Sequence, residues 1–177
     1  MRILSTVLLL MALSISGVPA AGPPVMPLHD RPRAVAEIAF ADGEGEPLTL
    51  DAWRGKIVLL NIWATWCGPC REEMPTLDRL QARLGSDRFE VVALSIDRAG
   101  VGVVAKFFEE IGIERLRIFI DESGGVARDL KIFGLPATLL IGRDGRELGR
   151  LVGPAEWDTP EMIAFLETVI ANQQERN

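Results

Sequence analysis

The sequence predicts an α/β protein: a central mixed β-sheet flanked by helices, with an N-terminal β-hairpin and a helical insertion. Two observations carry this. Short apolar runs at 57–63, 89–96 and 139–141 have the length of buried strands. Between and after them, apolar residues recur at helical spacing, as in Val103, Val104, Phe107, Phe108 and Ile111, with Lys106, Glu109 and Glu110 opposite. Strands alternating with such helices give a sheet covered on both faces.

The elements follow in order. Residues 1–20 read as an export signal peptide, with Arg2 ahead of a mostly apolar stretch at 3–15 and Val18-Pro19-Ala20 as a small-residue cleavage site. The apolar stretch is shorter than the ~20 residues that span a bilayer, so cleavage is favoured and the membrane is a partner only if the segment stays uncleaved. Either way the product is exported, and periplasmic. Residues 21–34, with Pro23, Pro24, Pro27 and Pro32, read as an extended linker in which His29 is incidental. The domain is expected over 35–174. It opens with a hairpin (35–40 and 47–50) around the turn Asp42-Gly43-Glu44-Gly45, followed by a helical turn near Trp53 that Gly55 ends.

The strand at 57–63 leads into Trp66-Cys67-Gly68-Pro69-Cys70 and then a helix with Leu77, Leu80 and Leu84 on its apolar face, Pro75 as a kink and Gly85 as its stop. The strand at 89–96 and the helix of 103–111 come next. Residues 116–120 read as a strand or extended link and 123–131 as a short helix. The strand at 139–141 turns through Arg143-Asp144-Gly145-Arg146 into a returning strand at 147–152, and a last helix covers 160–172.

Composition excludes some functions. The 177-residue chain has a net charge of −6, and residues 1–20 hold one Arg and no acid, so the remainder is more negative still. An acidic domain without a basic stripe is a poor nucleic-acid binder. The two cysteines cannot build a disulfide scaffold, and no Cys or His stands near enough in sequence to complete a four-ligand zinc site. No organic cofactor or metal is expected; the redox group is the Cys67–Cys70 pair itself. A strand, a tight turn and a helix place Cys67 at a helix N-terminus, where backbone N–H groups and the helix dipole favour a thiolate, with Cys70 one turn further in. That arrangement suits thiol–disulfide exchange.

From Gly55 to Leu77 the residues Gly-Lys-Ile-Val-Leu-Leu-Asn-Ile-Trp-Ala-Thr-Trp-Cys-Gly-Pro-Cys-Arg-Glu-Glu-Met-Pro-Thr-Leu resemble the thioredoxin superfamily, and more closely its exported TlpA/ResA-like branch. The extra strand pair before Trp53 and the helix-bearing stretch 97–121 match that branch as well. The resemblance implies a thioredoxin-like fold and a thiol:disulfide oxidoreductase. Cys67 matches the family's nucleophile and Cys70 its resolving thiol; Trp66, Gly68 and Pro69 match the rest of the active-site loop. Leu135-Pro136 matches the dipeptide with a cis proline beside the thiols, although from the residues alone Pro136 reads equally as an ordinary loop proline. Trp66, Gly68, Pro69, Leu135 and Pro136 are the implied substrate-binding residues, with the backbone of Leu135 open to an extended strand.

Thioredoxins carry a titrating Asp where this chain has Asn61. The TlpA/ResA-like branch instead places a Glu six residues after the first cysteine, here Glu73, which then exchanges a proton with Cys70; the alternative is a solvated helix-face carboxylate, as Glu72 is expected to be. The implied partners are an extended Cys-containing protein substrate, such as apocytochrome c or a metallochaperone, and an upstream membrane thiol donor that regenerates the pair. The same scaffold also serves disulfide oxidases and isomerases, and a Cys pair can deliver copper. Thioredoxin-fold peroxidases use a Pro/Thr/Cys loop that Ala64-Thr65-Trp66-Cys67 does not reproduce.

Overall fold

A computed structural model describes residues 26–173; the signal peptide expected at 1–20 and the first part of the linker lie outside the described residues. In chain order the elements are β1 (Leu28–Arg33), β2 (Ala39–Asp42), β3 (Pro47–Thr49), a 3-10 turn (Leu50–Trp53), β4 (Ile57–Trp63), α1 (Gly68–Leu84), β5 (Phe89–Ser95), α2 (Val101–Ile111), β6 (Phe119–Ile120), α3 (Gly125–Asp129), β7 (Ala137–Ile141), β8 (Glu147–Val152) and α4 (Pro160–Asn172). The strands form one eight-stranded sheet in the order β1-β8-β7-β4-β5-β6-β2-β3. β4 and β5 run parallel, as do β5 and β6; the remaining neighbours are antiparallel, so the sheet is mixed as expected.

β4 lies at the centre and is buried along its whole length. Its side chains alternate between two cores, because successive residues of a strand point to opposite faces. Ile57, Leu59 and Trp63 join Met74, Leu77 and Leu80 of α1, Phe107 and Phe108 of α2 and Leu166 of α4. Val58, Leu60 and Ile62 face Trp53, Val126 of α3 and Leu130 just past its end. Three helices therefore cover one face, and α3 with the 3-10 turn covers the other. Asn61 belongs to the odd-numbered set, so its buried amide points beneath α1. Its neighbour in the antiparallel register is Thr138 of β7, which also points that way because Leu139 and Ile141 face the opposite core.

The insertion contributes α2 and the short strand β6, which brings the β2–β3 hairpin onto the sheet edge. α1 starts at its Cys67 cap, continues through Pro75 and stops at Gly85.

The expected linker is corrected over 28–33. These residues form the edge strand β1, paired with β8 through Leu28 and Gly149, while Met26 just before it is fully buried. Most β1 side chains are exposed, so no apolar alternation marks the strand in the sequence; backbone pairing to the open side of β8 holds it. Proline is compatible with such an edge. Position 149 has to be glycine-sized, since a Cβ there would collide with the backbone of Pro27. His29 is not incidental to this contact: its Nε2 lies 2.9 Å from Glu147 Oε1. Glu147 is buried on β8 and also takes Nη2 of Arg150 at 2.8 Å.

Candidate active site

The site forms where β4 ends and α1 begins. Cys67 is the N-cap of α1, with extended backbone (φ −88°, ψ 106°), and Pro69 sits in the first turn, where its missing N–H is harmless. Cys67 Sγ accepts the backbone N–H of Cys70 at 3.3 Å. The two cysteines form a disulfide with Cα atoms 5.2 Å apart. Their surroundings differ: Cys67 retains 8 % exposure and Cys70 none.

The loop before Cys67 is anchored by Asp97, a buried carboxylate just past β5. It accepts the Thr65 N–H at 2.8 Å, the Thr65 hydroxyl at 2.7 Å and the Ser95 hydroxyl at 2.7 Å. Arg71 donates to the Thr65 carbonyl and lies 4.4 Å over the Phe107 ring, and Trp63 stacks on Phe108. The thiol loop is thus tied to β5 and α2 together.

The peptide bond between Leu135 and Pro136 is cis. Pro136 C=O accepts the Gly153 N–H at 2.9 Å. Beside Cys67 runs an open apolar groove lined by Trp66, Ile96, Ile132, Phe133 and Leu135 among others. Phe133 is 98 % exposed and Trp66 67 % exposed. Of the expected substrate-binding residues, the structure brings Trp66 and Leu135 to this groove. Gly68 and Pro69 are exposed at the start of α1, and Pro136 is buried, so neither Pro69 nor Pro136 lines it. Phe133 takes their place as the most exposed apolar side chain.

Glu73 lies one helical turn after Cys70 and is 3 % exposed. Asn61 Nδ2 donates to its Oε1 at 2.8 Å; the Ala155 N–H and Trp157 Nε1–H donate to its Oε2 at 3.0 and 3.1 Å. Burial pushes the carboxyl above its ordinary pKa of 4.5, against the opposing pull of the donors Ala155, Trp157 and Asn61. Glu72, in contrast, is exposed. Sequence reasoning missed Asp97, Phe133 and Trp157. A lone tryptophan in a turn-forming stretch was the available signal for Trp157, and nothing in sequence pairs it with Glu73. Among the described residues no cluster of three or more His, Cys, Asp or Glu side chains is placed to hold a metal ion.

A strand–Cys-turn–helix, a cis proline and a groove at the thiols, all on a mixed sheet, agree with the match of residues 32–146 to the model of the AhpC/TSA family. The chain belongs to this family. It is similar to the thiol-disulfide oxidoreductase ResA of Bacillus thuringiensis subsp. konkukian, 31 % identical over 112 residues, covering 63 % of this chain and 64 % of that protein. It is also similar to the thiol:disulfide interchange protein CycY of Rhizobium leguminosarum bv. viciae, 38 % identical over 108 residues, covering 61 % and 56 %. The chain thus spans less than two thirds of the length of either. A crystal structure from Chlorobium tepidum, assigned as a thiol:disulfide interchange protein DsbE, superposes with a TM-score of 0.66 at 30 % identity, covering 81 % of this chain and 97 % of that one. The thioredoxin-like fold expected from the resemblance is the fold of the protein.

Proposed function

We propose that this protein is an exported thiol–disulfide oxidoreductase that reduces disulfides in extended polypeptides, with apocytochrome c or a metallochaperone as the substrate class. The observation that carries the reading is the asymmetry of the pair: Cys67 caps α1 and borders the groove, while Cys70 is sealed beneath it. In the reduced protein the Cys67 thiolate attacks one sulfur of the substrate disulfide. The substrate S–S bond breaks, its second sulfur leaves as a thiolate and takes up a proton, and a mixed disulfide remains on Cys67. Cys70 then gives its proton to Glu73 and attacks Cys67 Sγ, so that the Cys67–Cys70 bond forms and the second substrate thiol departs. Two electrons pass from the pair to the substrate, and a membrane thiol donor restores them. No cofactor enters any step.

Leu135 supports the binding half of this reading, since it lies at the groove, where an extended strand can add to its backbone. Export rests on residues 1–20; among the described residues no helix is long and apolar enough to cross a membrane. The Gly68-Pro69 dipeptide is shared with thioredoxin, a reductant near −270 mV, whereas strong oxidants lie near −120 mV. The reduction potential of the Cys67–Cys70 couple, measured by equilibration with glutathione or dithiothreitol, tests the direction. A value clearly below roughly −200 mV is expected; one near the strong oxidants would replace reduction by disulfide donation.

A further inference from the structure

The segment 153–157 after β8 turns back onto α1 and grips it twice. The Trp157 backbone N–H donates to Thr76 Oγ1 at 3.1 Å, and the Thr76 hydroxyl donates to the Glu73 carbonyl at 2.7 Å. The Ala155 N–H and the Trp157 indole N–H both end on Glu73 Oε2. A carboxylate oxygen offers two lone pairs, and these donors take both. Neither a backbone N–H nor an indole N–H can accept a proton in return. Protonation at Oε2 would therefore strand a buried donor, an expensive outcome where no water replaces it.

Oε1 differs. It receives one donor, Asn61 Nδ2, and keeps a lone pair open. Asn61 is fully buried; its Nδ2 also donates to Thr138 Oγ1 at 3.0 Å, and its Oδ1 has no partner. Turning the amide over would place its two N–H donors where Oδ1 now finds no partner, the same cost that closes Oε2, so Asn61 keeps the orientation in which Nδ2 serves both Thr138 and Glu73.

We propose that Trp157 and Asn61 are the positioning residues for the proton of Glu73: Trp157, with the Ala155 backbone, closes Oε2, and Asn61, which gives Oε1 a single donor, leaves there the lone pair that takes the proton. The inference rests on the reading of Glu73 as the proton carrier for Cys70 and names the atom and the partners through which it works. The groups that meet the carboxyl from β4 and the 153–157 segment are Asn61, Ala155 and Trp157, with Thr138 of β7 behind Asn61, all uncharged. On α1 the nearby groups are Cys70, one turn back, and exposed Glu72; past Trp157 comes Asp158, paired with Arg79 at 2.6 Å.

The test is an NMR titration of the Glu73 side-chain carboxyl carbon in the oxidised protein. In Trp157→Phe the ring remains but cannot donate, so the Glu73 midpoint is expected to move to higher pH. An unmoved midpoint overturns the proposal. Trp157 is fully buried, and if Trp157→Phe does not fold, the unaltered protein supplies a second measurement. There the Asn61 side-chain amide resonances are expected to shift with the Glu73 midpoint, while the Trp157 indole proton stays protected from exchange at both ends of the titration. An Asn61 amide that ignores Glu73, or an indole proton released when Glu73 protonates, overturns it. The oxidised protein performs no turnover, so these readings stand apart from the fate of the reductase assignment.

Discussion

Replacing Glu73 with Gln is expected to alter how folding stability depends on pH. Glu73 is 3 % exposed and its pKa is raised above 4.5 by burial. The unfolded chain, fully solvated, releases this proton near the ordinary carboxylate value of about 4.3–4.5. Between that pH and the native value the folded protein holds a proton that the unfolded chain has lost. Each pH unit in that window removes about 1.4 kcal/mol of stability. The contribution of neutral Glu73 is thus complete in acid and disappears as pH rises through the native value. Gln does not titrate. Its carbonyl can take the N–H groups of Ala155 and Trp157, so the variant is expected to fold. The assay is urea denaturation of both oxidised proteins from about pH 4 to about pH 9. Wild-type stability minus variant stability should be flat at the acid end, fall with a slope approaching 1.4 kcal/mol per pH unit, then level off. A difference that ignores pH would refute the reasoning. So would one that grows with pH, because that is the behaviour of a carboxylate whose donors outweigh its burial.

Four further outcomes are expected. In the reduced protein Cys67 should alkylate at least tenfold faster than Cys70, given its place at the groove and the sealing of Cys70, and Cys70→Ser should accumulate mixed disulfides that Cys67→Ser does not; equal alkylation by mass spectrometry would contradict the assigned roles. Asp97→Ala leaves Thr65 and Ser95 without their shared acceptor and should cost about 1–3 kcal/mol, with faster hydrogen exchange at the Thr65 amide. Burial raises the pKa of Glu147, but Arg150 and His29 outweigh it and leave the carboxyl below 4.5; its stabilisation is present above that pH and lost as pH falls through the native value. Glu147→Gln should therefore destabilise at neutral pH by about 1–3 kcal/mol, with the deficit shrinking in acid denaturation curves. Phe133→Ala, at a fully solvated side chain, should leave stability within about 0.5 kcal/mol while slowing the reduction of peptides with apolar residues beside the cysteine; unchanged peptide kinetics would remove Phe133 from the binding surface.

Much of the architecture was legible because it depends on local pattern. The apolar run at 57–63 forms β4 because such a strand is buried on both faces, and the residues around Phe107 form α2 because their period matches one helix face. Cys67 stands at a helix N-terminus for the same reason: strand and helix periodicities meet at the Gly-Pro turn. β1 was not legible, since most of its side chains are exposed and it is held mainly by backbone pairing with β8, 114 or more residues away, with no apolar alternation to record the pairing.

The sequence by itself determined which groups are available for the proposed chemistry: a single pair of cysteines on a strand–turn–helix, and a glutamate two turns into the helix. Tertiary structure decided how that chemistry is controlled. Whether Glu73 faces water or core depends on the phase of α1 against β4, and its proton affinity depends on Asn61, Ala155 and Trp157, which arrive from opposite ends of the domain. The groove likewise joins Trp66 to Phe133 and Leu135 across the sheet. Burial and convergence of this kind are properties of packing between distant segments, and local residue order carries little trace of them.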